Sequence, residues 1–393
     1  MDVTDTGEAA WGDEDEDLFG DGTDKQFGDM DGEVDEEVAG AGVGETAAGW
    51  GGDSDDDLDL PDLEITDSGP TSSGFAAPTK GLSQNQVWAN NSQLSQDHVA
   101  AGAFDSAFRL LKDQVGVVKF SVYKDIFMNI YSGSRTSFVA MPGLPPLTCN
   151  PHRNHADAGQ KTGLPQISLR LNDLGAALQD SYKLVTAGKF DEAIAKFRKI
   201  LLSVPLLIVD TKQQVQEAQQ LISIARNYIL GFTMEIERKK INTKESLENA
   251  KRAAEMAAYL THCELQPIHL ILTIKAACNL MFKLKNCRMA SMFAKRLLEL
   301  GPKPDMATHA RKIIQACEKN MNDAHKLNYD AHNPFDLCAA SYTPIYRGKP
   351  IEKCPLSGAC YKPEFKGELC RITECSEVGA EAIGLRISTI QMR

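Results

Sequence analysis

Residues 171–320 carry apolar side chains at helical spacing almost throughout, and this pattern constrains the fold more than any other feature of the sequence. Residues three or four positions apart share one face of a helix, so the spacing predicts a series of amphipathic helices. Gly188 ends the first predicted helix and Pro205 ends the second, since glycine favours helix ends and proline cannot continue a helix. Further helices are predicted over about 212–239, 244–262 and 305–319.

The first two of these helices match the tetratricopeptide pattern, in which paired helices pack through small and aromatic side chains. Residues 187–197, followed by Pro205, carry the match, and residues 268–302 form a weaker copy. Ordinary antiparallel helix packing explains the same spacing, and either arrangement gives a scaffold with a broad face for a partner. We therefore predict a mainly α fold, a TPR-like α-solenoid of helical hairpins, with its TPR-like domain over residues 171–329.

Upstream of this body, residues 81–170 are predicted to hold helices followed by an extended segment. Apolar stripes at helical spacing run through residues 97–115 and 120–130. Residues 136–170 contain five prolines and show no helical period, so we predict a long irregular connection. Such connections are usually functional or packed over the body.

The period changes in the last part of the chain. Residues 342–346 alternate as a strand does, and the turn after them would return the chain as a second strand over 351–354. Residues 369–373 and 382–387 have the composition of another strand pair. We predict a small cysteine-containing β module over residues 330–393.

Charge divides the chain into two parts. Among the first 70 residues 25 are acidic and one, Lys25, is basic, which gives this part a net charge of −24. The rest holds 29 acidic and 41 basic residues, a net charge of +12. Residues 1–80 are also poor in β-branched and aromatic side chains, so we predict a disordered acidic linker. The linker either contacts the basic body or only keeps the chain soluble.

Two tryptophans, Trp11 and Trp50, stand beside acidic runs within this linker. A tryptophan among acids is typical of a short linear binding motif. A linker that merely retains a few apolar residues explains the same composition.

Metal binding is the sharpest chemical option that the tail offers. Cysteine thiolates are ligands of structural zinc, but successive tail cysteines are separated by 15, 5, 9 and 4 residues, and none of these gaps is the two-residue spacing of a zinc knuckle. We therefore expect buried, reduced cysteines that pack as small apolar groups and no bound metal. The candidates set aside in this way are Cys338, Cys354, Cys360, Cys370 and Cys375.

A second group of potential metal ligands lies in the proline-rich connection. Cys149, His152 and His155 are close in sequence, but no fourth ligand lies nearby. We expect no metal there either.

The sequence gives little support to catalysis. It has no glycine-rich phosphate loop, no Gly-x-Ser-x-Gly elbow and no His-Glu-x-x-His motif, so we predict no enzyme and no cofactor. Basic groups are not interleaved with aromatic residues, which argues against nucleic-acid binding. No run of 18 apolar residues and no signal peptide are present, so we expect a cytoplasmic protein.

Several long motifs resemble one known family, the carboxy-terminal domain of coatomer alpha. The tail carries most of the resemblance, in Tyr342-Thr-Pro-Ile-Tyr-Arg-Gly-Lys-Pro350, Lys353-Cys-Pro-Leu-Ser-Gly-Ala-Cys-Tyr361, Pro363-Glu-Phe-Lys-Gly367 and Ile383-Gly-Leu-Arg-Ile-Ser388. Upstream, Leu297-Leu-Glu-Leu-Gly-Pro-Lys-Pro304 and the acidic linker fit the same family. The resemblance covers nearly the whole chain.

The resemblance implies a non-enzymatic subunit of the COPI coat on Golgi-to-endoplasmic-reticulum and intra-Golgi vesicles. It implies docking of the coatomer epsilon subunit, itself a tetratricopeptide protein, together with other coatomer subunits. Membrane association would be peripheral, on the cytoplasmic side of the Golgi, through indirect recruitment that depends on a small GTPase. The family's amino-terminal β-propellers are not part of this sequence, so cargo recognition is not assigned to it.

We predict that the tail hairpin is the partner-binding element, since aromatic residues and arginine are enriched at binding hot spots. Its candidate contact residues are Tyr342, Ile345, Tyr346, Arg347 and Lys349. Alternatively, the tyrosines pack inward and the partner contacts the helices of residues 171–320. Two other classes of protein compete with this interpretation, a zinc-dependent RING-like ubiquitin ligase and a free-standing adaptor that uses the acidic tryptophan motifs.

Overall fold

Helices dominate the structure, as the apolar stripes predict. The computed structural model describes residues 81–138, 142–143, 147–154 and 162–392. The predicted disordered linker of residues 1–80, which contains Trp11 and Trp50, lies outside the described residues. Within these ranges lie eleven α-helices: α1 (Gln84–Asn91), α2 (Ser95–Ala101), α3 (Phe104–Val115), α4 (Lys124–Gly133), α5 (Leu171–Thr186), α6 (Phe190–Ser203), α7 (Lys212–Lys240), α8 (Leu247–Leu260), α9 (Pro267–Lys283), α10 (Cys287–Glu299) and α11 (Pro304–Glu318).

The strands of the described residues are short and pair only in twos. Each pair is antiparallel: β1 (Thr136–Phe138) with β2 (Leu147–Cys149), β3 (Phe335–Leu337) with β4 (Pro344–Tyr346), and β5 (Glu352–Lys353) with β6 (Cys360–Tyr361). Short 3₁₀ turns lie at Ser121–Tyr123, Val204–Leu206, Pro363–Phe365 and Thr389–Met392. The predicted fold class, mainly α with small β elements, is confirmed.

The predicted tetratricopeptide-like hairpin forms between α5 and α6, and α7 packs against α6. The turn between α5 and α6 depends on Gly188, whose φ of 73° is a conformation that side chains disfavour. Pro205 lies in the 3₁₀ turn that follows α6. Phe197 is fully buried within this hairpin, where its ring packs against Tyr182 and Tyr228.

The remaining helices continue as antiparallel neighbours. α8 packs against α7 and α9, and α10 packs against α9 and α11. The hairpin of α9 and α10 corresponds to the weaker repeat predicted over residues 268–302. Phe293, Tyr259 and Ile313 are buried in the core of this part, which Tyr329 closes from beyond the last helix.

The tail, defined as residues 330–392, does not form a core of its own. Its buried residues Cys338, Ile345 and Tyr361 belong to the same apolar cluster as Phe197 on α6 and Leu111 on α3. The described part of the chain lies within a single compact unit. The predicted boundaries between residues 81–170, 171–329 and 330–393 stay a prediction about how the chain is organised.

The predicted pairing of the first tail strands is wrong. β4 pairs with β3, which precedes it, and Phe335 lies opposite Tyr346. Residues 351–354 do not return onto β4; instead β5 pairs with β6. The reason lies in a tighter reversal before β4, where the Cys338 N–H donates to the Thr343 carbonyl and Tyr342 adopts a φ of 51°. Once that turn has formed, β4 already has its partner strand.

The second predicted strand pair is also wrong. Residues 369–373 and 382–387 form no strands, and Leu369 makes only an isolated bridge to Glu377. The N–H groups of Ile383 and Gly384 donate instead to the carbonyls of Asp113 and Gln114 at the end of α3. The last carbonyls of a helix have no partner within the helix, so they compete for tail N–H groups that a strand would have used.

Candidate partner-binding surfaces

The β1–β2 hairpin, with strands at residues 136–138 and 147–149, lies near the start of the described body. All three residues of β1 are exposed, and Phe138, which pairs with Leu147 across the hairpin, is 54% exposed. The sequence predicted only an extended connection here. A signal was present, because Pro142-Gly143 has turn composition and β-branched threonines flank it. Gly143 has a φ of 83°.

Arg135 fixes the base of this hairpin. Its guanidinium lies over the ring of Tyr131, 3.7 Å from the ring centroid, and donates to the Tyr131 carbonyl at 2.9 Å. The same group donates to Asn85 Oδ1 on α1 at 3.1 Å. Two helices therefore hold the position where the hairpin begins, while the aromatic side chain of Phe138 remains in solvent.

An apolar hollow adjoins the helix that leads into this hairpin. It has a volume of about 300 Å³ and lies between α3 and α4. Phe108 is central to it, with ring centroids 4.3 Å from Phe120 and 5.3 Å from Phe127. Met128, at the edge of the hollow, is 49% exposed. Apolar surface that is left exposed in a group often marks a contact site.

The structure places the five predicted tail contact residues in different environments. Ile345 is buried, while Tyr342 and Tyr346 are half-buried. Arg252 holds the Tyr342 backbone by donating to its carbonyl at 3.0 Å, and Tyr346 lies edge-on to Phe335. Arg347 and Lys349 are exposed at the turn after β4, so charged rather than aromatic groups dominate the free surface of this hairpin. Their role in partner binding stays a prediction.

The tail cysteines are packed among apolar and hydroxyl groups. Cys338, Cys354, Cys370 and Cys375 are buried and Cys360 is half-buried. The Tyr361 hydroxyl donates to Cys370 Sγ at 3.2 Å. Burial raises the pKa of both Cys360 and Cys375 to about 11, which favours the neutral thiol at these positions. Throughout the described ranges, no group of three or more histidine, cysteine or acidic residues is placed to hold a metal ion.

The second candidate metal group is only partly described, because His155 lies outside the described residues. Cys149 is half-buried in β2. His152 is buried, and its Nδ1 accepts a hydrogen bond from Trp88 Nε1 at 3.5 Å. This contact joins the connection to α1 and gives His152 a structural partner.

In the part of the chain that the structure describes, no helix is both long enough and apolar enough to span a bilayer. The candidate partner surfaces are the β1–β2 hairpin with the adjoining hollow and the turn that follows β4, with the helices of residues 171–320 as the alternative.

Comparison with known proteins shows a consistent relationship. Residues 1–393 match the family model for the C-terminus of the alpha subunit of coatomer (COPI). The chain is 41% identical over 321 residues to coatomer subunit alpha of Dictyostelium discoideum, an alignment that covers 81% of this chain and 26% of that protein. It is 36% identical over 404 residues to coatomer subunit alpha-3 of Oryza sativa subsp. japonica, covering 98% of this chain and 31% of the relative.

A yeast relative extends the same result. Coatomer subunit alpha of Saccharomyces cerevisiae is 35% identical over 348 residues, which cover 88% of this chain and 28% of the relative. The chain thus matches less than a third of the length of each of these three proteins. It belongs to the family formed by the C-terminus of the alpha subunit of coatomer (COPI).

Proposed function

We propose that this chain is an assembly module of the COPI coat and that it binds the coatomer epsilon subunit. Family membership supports the assignment to the coat. The observation that carries the docking proposal is the β1–β2 hairpin, which exposes 54% of Phe138 while Arg135 fixes its base.

An exposed aromatic side chain on a two-stranded hairpin favours a protein partner. A hairpin of this kind is only marginally stable in water, and a partner that covers it also stabilises it. A tetratricopeptide protein such as the epsilon subunit offers a concave groove lined by helices, which suits an extended element. The hollow beside Phe108 gives further apolar area next to α4, the helix that leads into the hairpin.

The turn after β4 is the second candidate surface. Arg347 and Lys349 are exposed there, and half-buried Tyr346 adjoins them. This surface would contribute charged contacts, which affect association rate and partner choice more than affinity.

In the coat, the chain would act as a scaffold and not as an enzyme. Its other partners would be further coatomer subunits, at the cytoplasmic face of Golgi membranes and of COPI vesicles, in retrograde and intra-Golgi transport. Membrane contact would be indirect, through recruitment of the coat by a small GTPase. Co-purification of the tagged chain with native coatomer tests this level of the proposal.

The two rival classes gain no support from the geometry. A RING-like ubiquitin ligase needs eight paired metal ligands, and the described tail cysteines instead pack against groups such as the Tyr361 hydroxyl. An adaptor acting through Trp11 and Trp50 would rest on residues that lie outside the described part of the chain.

Point substitutions in the full chain test where the epsilon subunit binds. We expect Phe138→Glu to abolish capture of purified epsilon subunit, because a carboxylate would have to be buried without a partner. Ile268→Glu is the matched comparison, since Ile268 is 53% exposed on α9, belongs to neither surface, and reports on the alternative contact with the helices of residues 171–320. The double substitution Arg347→Glu and Lys349→Glu tests the second surface.

Three results are decisive. Loss of binding with Phe138→Glu alone places the main contact on the β1–β2 hairpin. Loss of binding only with the double substitution Arg347→Glu and Lys349→Glu would indicate that the main contact is the turn after β4. Wild-type binding by all the variants would show that the partner contacts another face, such as the helices of residues 171–320.

A further inference from the structure

Two thiol groups meet where the start of α10 lies against the end of α11. Cys287 is the first residue of α10, and Cys317 belongs to the last turn of α11. The Cys317 thiol is fully buried and is hydrogen-bonded to the thiol of Cys287. Cys287 itself is half-buried, so one sulfur of the pair is open to solvent and the other is not. An accessible thiol beside a second thiol is the arrangement that reversible disulfide formation needs.

The backbone holds these two positions together. The Cys287 N–H donates to the carbonyl of Asn322, in the loop after α11, at 3.2 Å. The buried side chain of Asn286 donates to the His325 carbonyl at 2.9 Å, and Asn286 also forms an antiparallel bridge with Asp323. A disulfide forms only where the backbone already brings two side chains close. These bonds meet that condition, because they tie the end of α11 to the start of α10.

The surface around the exposed sulfur is positively charged. Residues 283–288 and 318–326 contain five lysine or arginine residues and two carboxylates, those of Glu318 and Asp323. All five basic residues are exposed, and Lys285 and Arg288 lie within two positions of Cys287. Asp323 is half-buried, and its Oδ1 accepts the Arg288 N–H at 3.1 Å. An anionic reactant would therefore be attracted to this end of the helical hairpin.

We propose that Cys287 and Cys317 form a reversible disulfide site that reacts with a small anionic disulfide of the glutathione type. In the first step, the Cys287 sulfur attacks one sulfur of the small disulfide, whose S–S bond breaks. One small thiol leaves and takes up the proton that Cys287 gives up. In the second step, the Cys317 sulfur attacks Cys287 Sγ, and the second small thiol leaves with the Cys317 proton. The chain loses two hydrogens, while one small disulfide is reduced to two thiols.

Burial sets the order of the two steps. Cys287 is the accessible thiol of the pair, so it reacts first. Burial, and next the neighbouring Cys287, raise the pKa of the Cys317 thiol to about 12, so the second step should be the slower one. The tail contains a comparison pair, since the thiols of Cys354 and Cys370 are also hydrogen-bonded to each other. Both of these are buried, so this pair should not react in the folded chain.

Oxidised glutathione is the probe, and it is added to the full chain under native conditions. Acid quenching, intact mass measurement and a non-reduced peptide map identify the products. We expect the wild-type chain to lose two hydrogens and to yield a linked peptide that joins Cys287 and Cys317. Cys317→Ala should instead keep one glutathione on Cys287, and Cys287→Ser should give neither product. Cys360→Ser is the matched control, because this half-buried thiol lies outside the pair and its loss should change nothing.

Charge reversal tests the class of reactant, in the Cys317→Ala background that isolates the first step. Adding Lys285→Glu and Arg288→Glu should slow glutathione transfer by about threefold or more at low salt. The same change should not affect the rate with uncharged hydroxyethyl disulfide. Lys303→Glu with Arg311→Glu is the matched control, since both residues are exposed and lie elsewhere along the sequence of this hairpin. Circular dichroism checks each fold, and Lys285→Gln with Arg288→Gln or Cys317→Ser replaces a variant that unfolds.

Three outcomes would overturn the disulfide site. The first is a natively folded wild-type chain that yields no peptide linking Cys287 to Cys317. The second is a Cys354–Cys370 link that forms as fast or faster. The third is glutathione transfer in Cys317→Ala that is faster at Cys360 than at Cys287. Equal slowing of both small disulfides by charge reversal would overturn the assignment of an anionic reactant.

Discussion

The hydroxyl group of Tyr228 on α7 donates a hydrogen bond to Nδ1 of His269 on α9 across 2.8 Å, and it accepts one from the Gln266 N–H at 2.9 Å. On the other side of the ring, His269 Nε2 lies 3.0 Å from Thr186 Oγ1, whose own hydrogen is donated to the Tyr182 carbonyl. Nε2 therefore donates and Nδ1 accepts, which is the pattern of a neutral imidazole. This network links α5, α7 and α9 through one uncharged histidine.

Stability should fall in mild acid because of this network. Burial lowers the pKa of His269 to about 4, below the ordinary value of 6.5, so between these values the unfolded chain binds more protons than the folded one. The contribution of His269 to the free energy of unfolding is fully present above about pH 6.5. It falls by roughly 2 kcal/mol as the pH decreases toward 4. His269→Gln should reduce this slope, measured as urea midpoints between about pH 5 and pH 7.5. An unchanged slope, equal to that of the exposed control His332→Gln, would contradict the neutral network.

Removing the ring of Phe197 should destabilise the chain strongly. The ring is fully buried and stacks on Tyr228, with centroids 4.6 Å apart. Phe197→Ala should lower the free energy of unfolding by roughly 3–5 kcal/mol, the usual cost of emptying an aromatic core site. Denaturant unfolding measures the loss, and Phe138→Ala, at an exposed position, serves as the control. A loss below about 1 kcal/mol for Phe197→Ala would contradict its place in the core.

Arg153 should matter more than its position in an irregular segment suggests. It pairs with Asp97, whose side chain is 1% exposed, and its Nη2 donates to Asp97 Oδ2 at 2.8 Å. Arg153→Ala would leave a buried carboxylate without its cation and should cost roughly 3 kcal/mol. Lys183→Ala removes an exposed partner of Asp180 and should cost less than about 0.5 kcal/mol. Equal losses in chemical denaturation would show that solvent screens the Asp97 pair.

Zinc should be substoichiometric in the purified chain, and a chelator should leave its thermal midpoint unchanged. The buried tail thiols pack with hydroxyl groups such as that of Tyr361, and not around a common centre. Elemental analysis of protein prepared without metal chelators measures the content. One zinc per chain, lost together with stability in Cys354→Ser, would show a structural site.

The helical body was predictable because its signals are local. Gly188 and Pro205 end helices through their own backbone geometry, and Phe197 shares a face with residues three and four positions away. For the tail, the presence of short strands was predictable, but the pairing of those strands was not. β4 follows the pattern that the sequence indicates, yet its partner depends on the reversal at Tyr342, and residues 383 and 384 bond to α3, which lies far away in sequence.

The candidate surfaces were only partly predictable for a related reason. In the sequence Ile345 and Phe138 are alike large apolar residues, but only the fold shows that Ile345 is buried and Phe138 exposed. Exposure depends on what lies opposite a residue in space, and a single sequence does not give that.

The bonds between the tail and the early helices have a consequence for synthesis. The Val118 N–H donates to the Cys375 carbonyl at 2.8 Å, and the Val209 N–H donates to the Ile387 carbonyl at 3.0 Å. At ribosomal rates, roughly 15 to 50 s pass between the emergence of the segment after α3 and that of the tail residues that complete its core. During this interval the nascent chain exposes apolar surface that the finished protein buries. The chain should therefore depend on chaperones most strongly until the tail segment that contains Cys375 and Ile387 has left the ribosome.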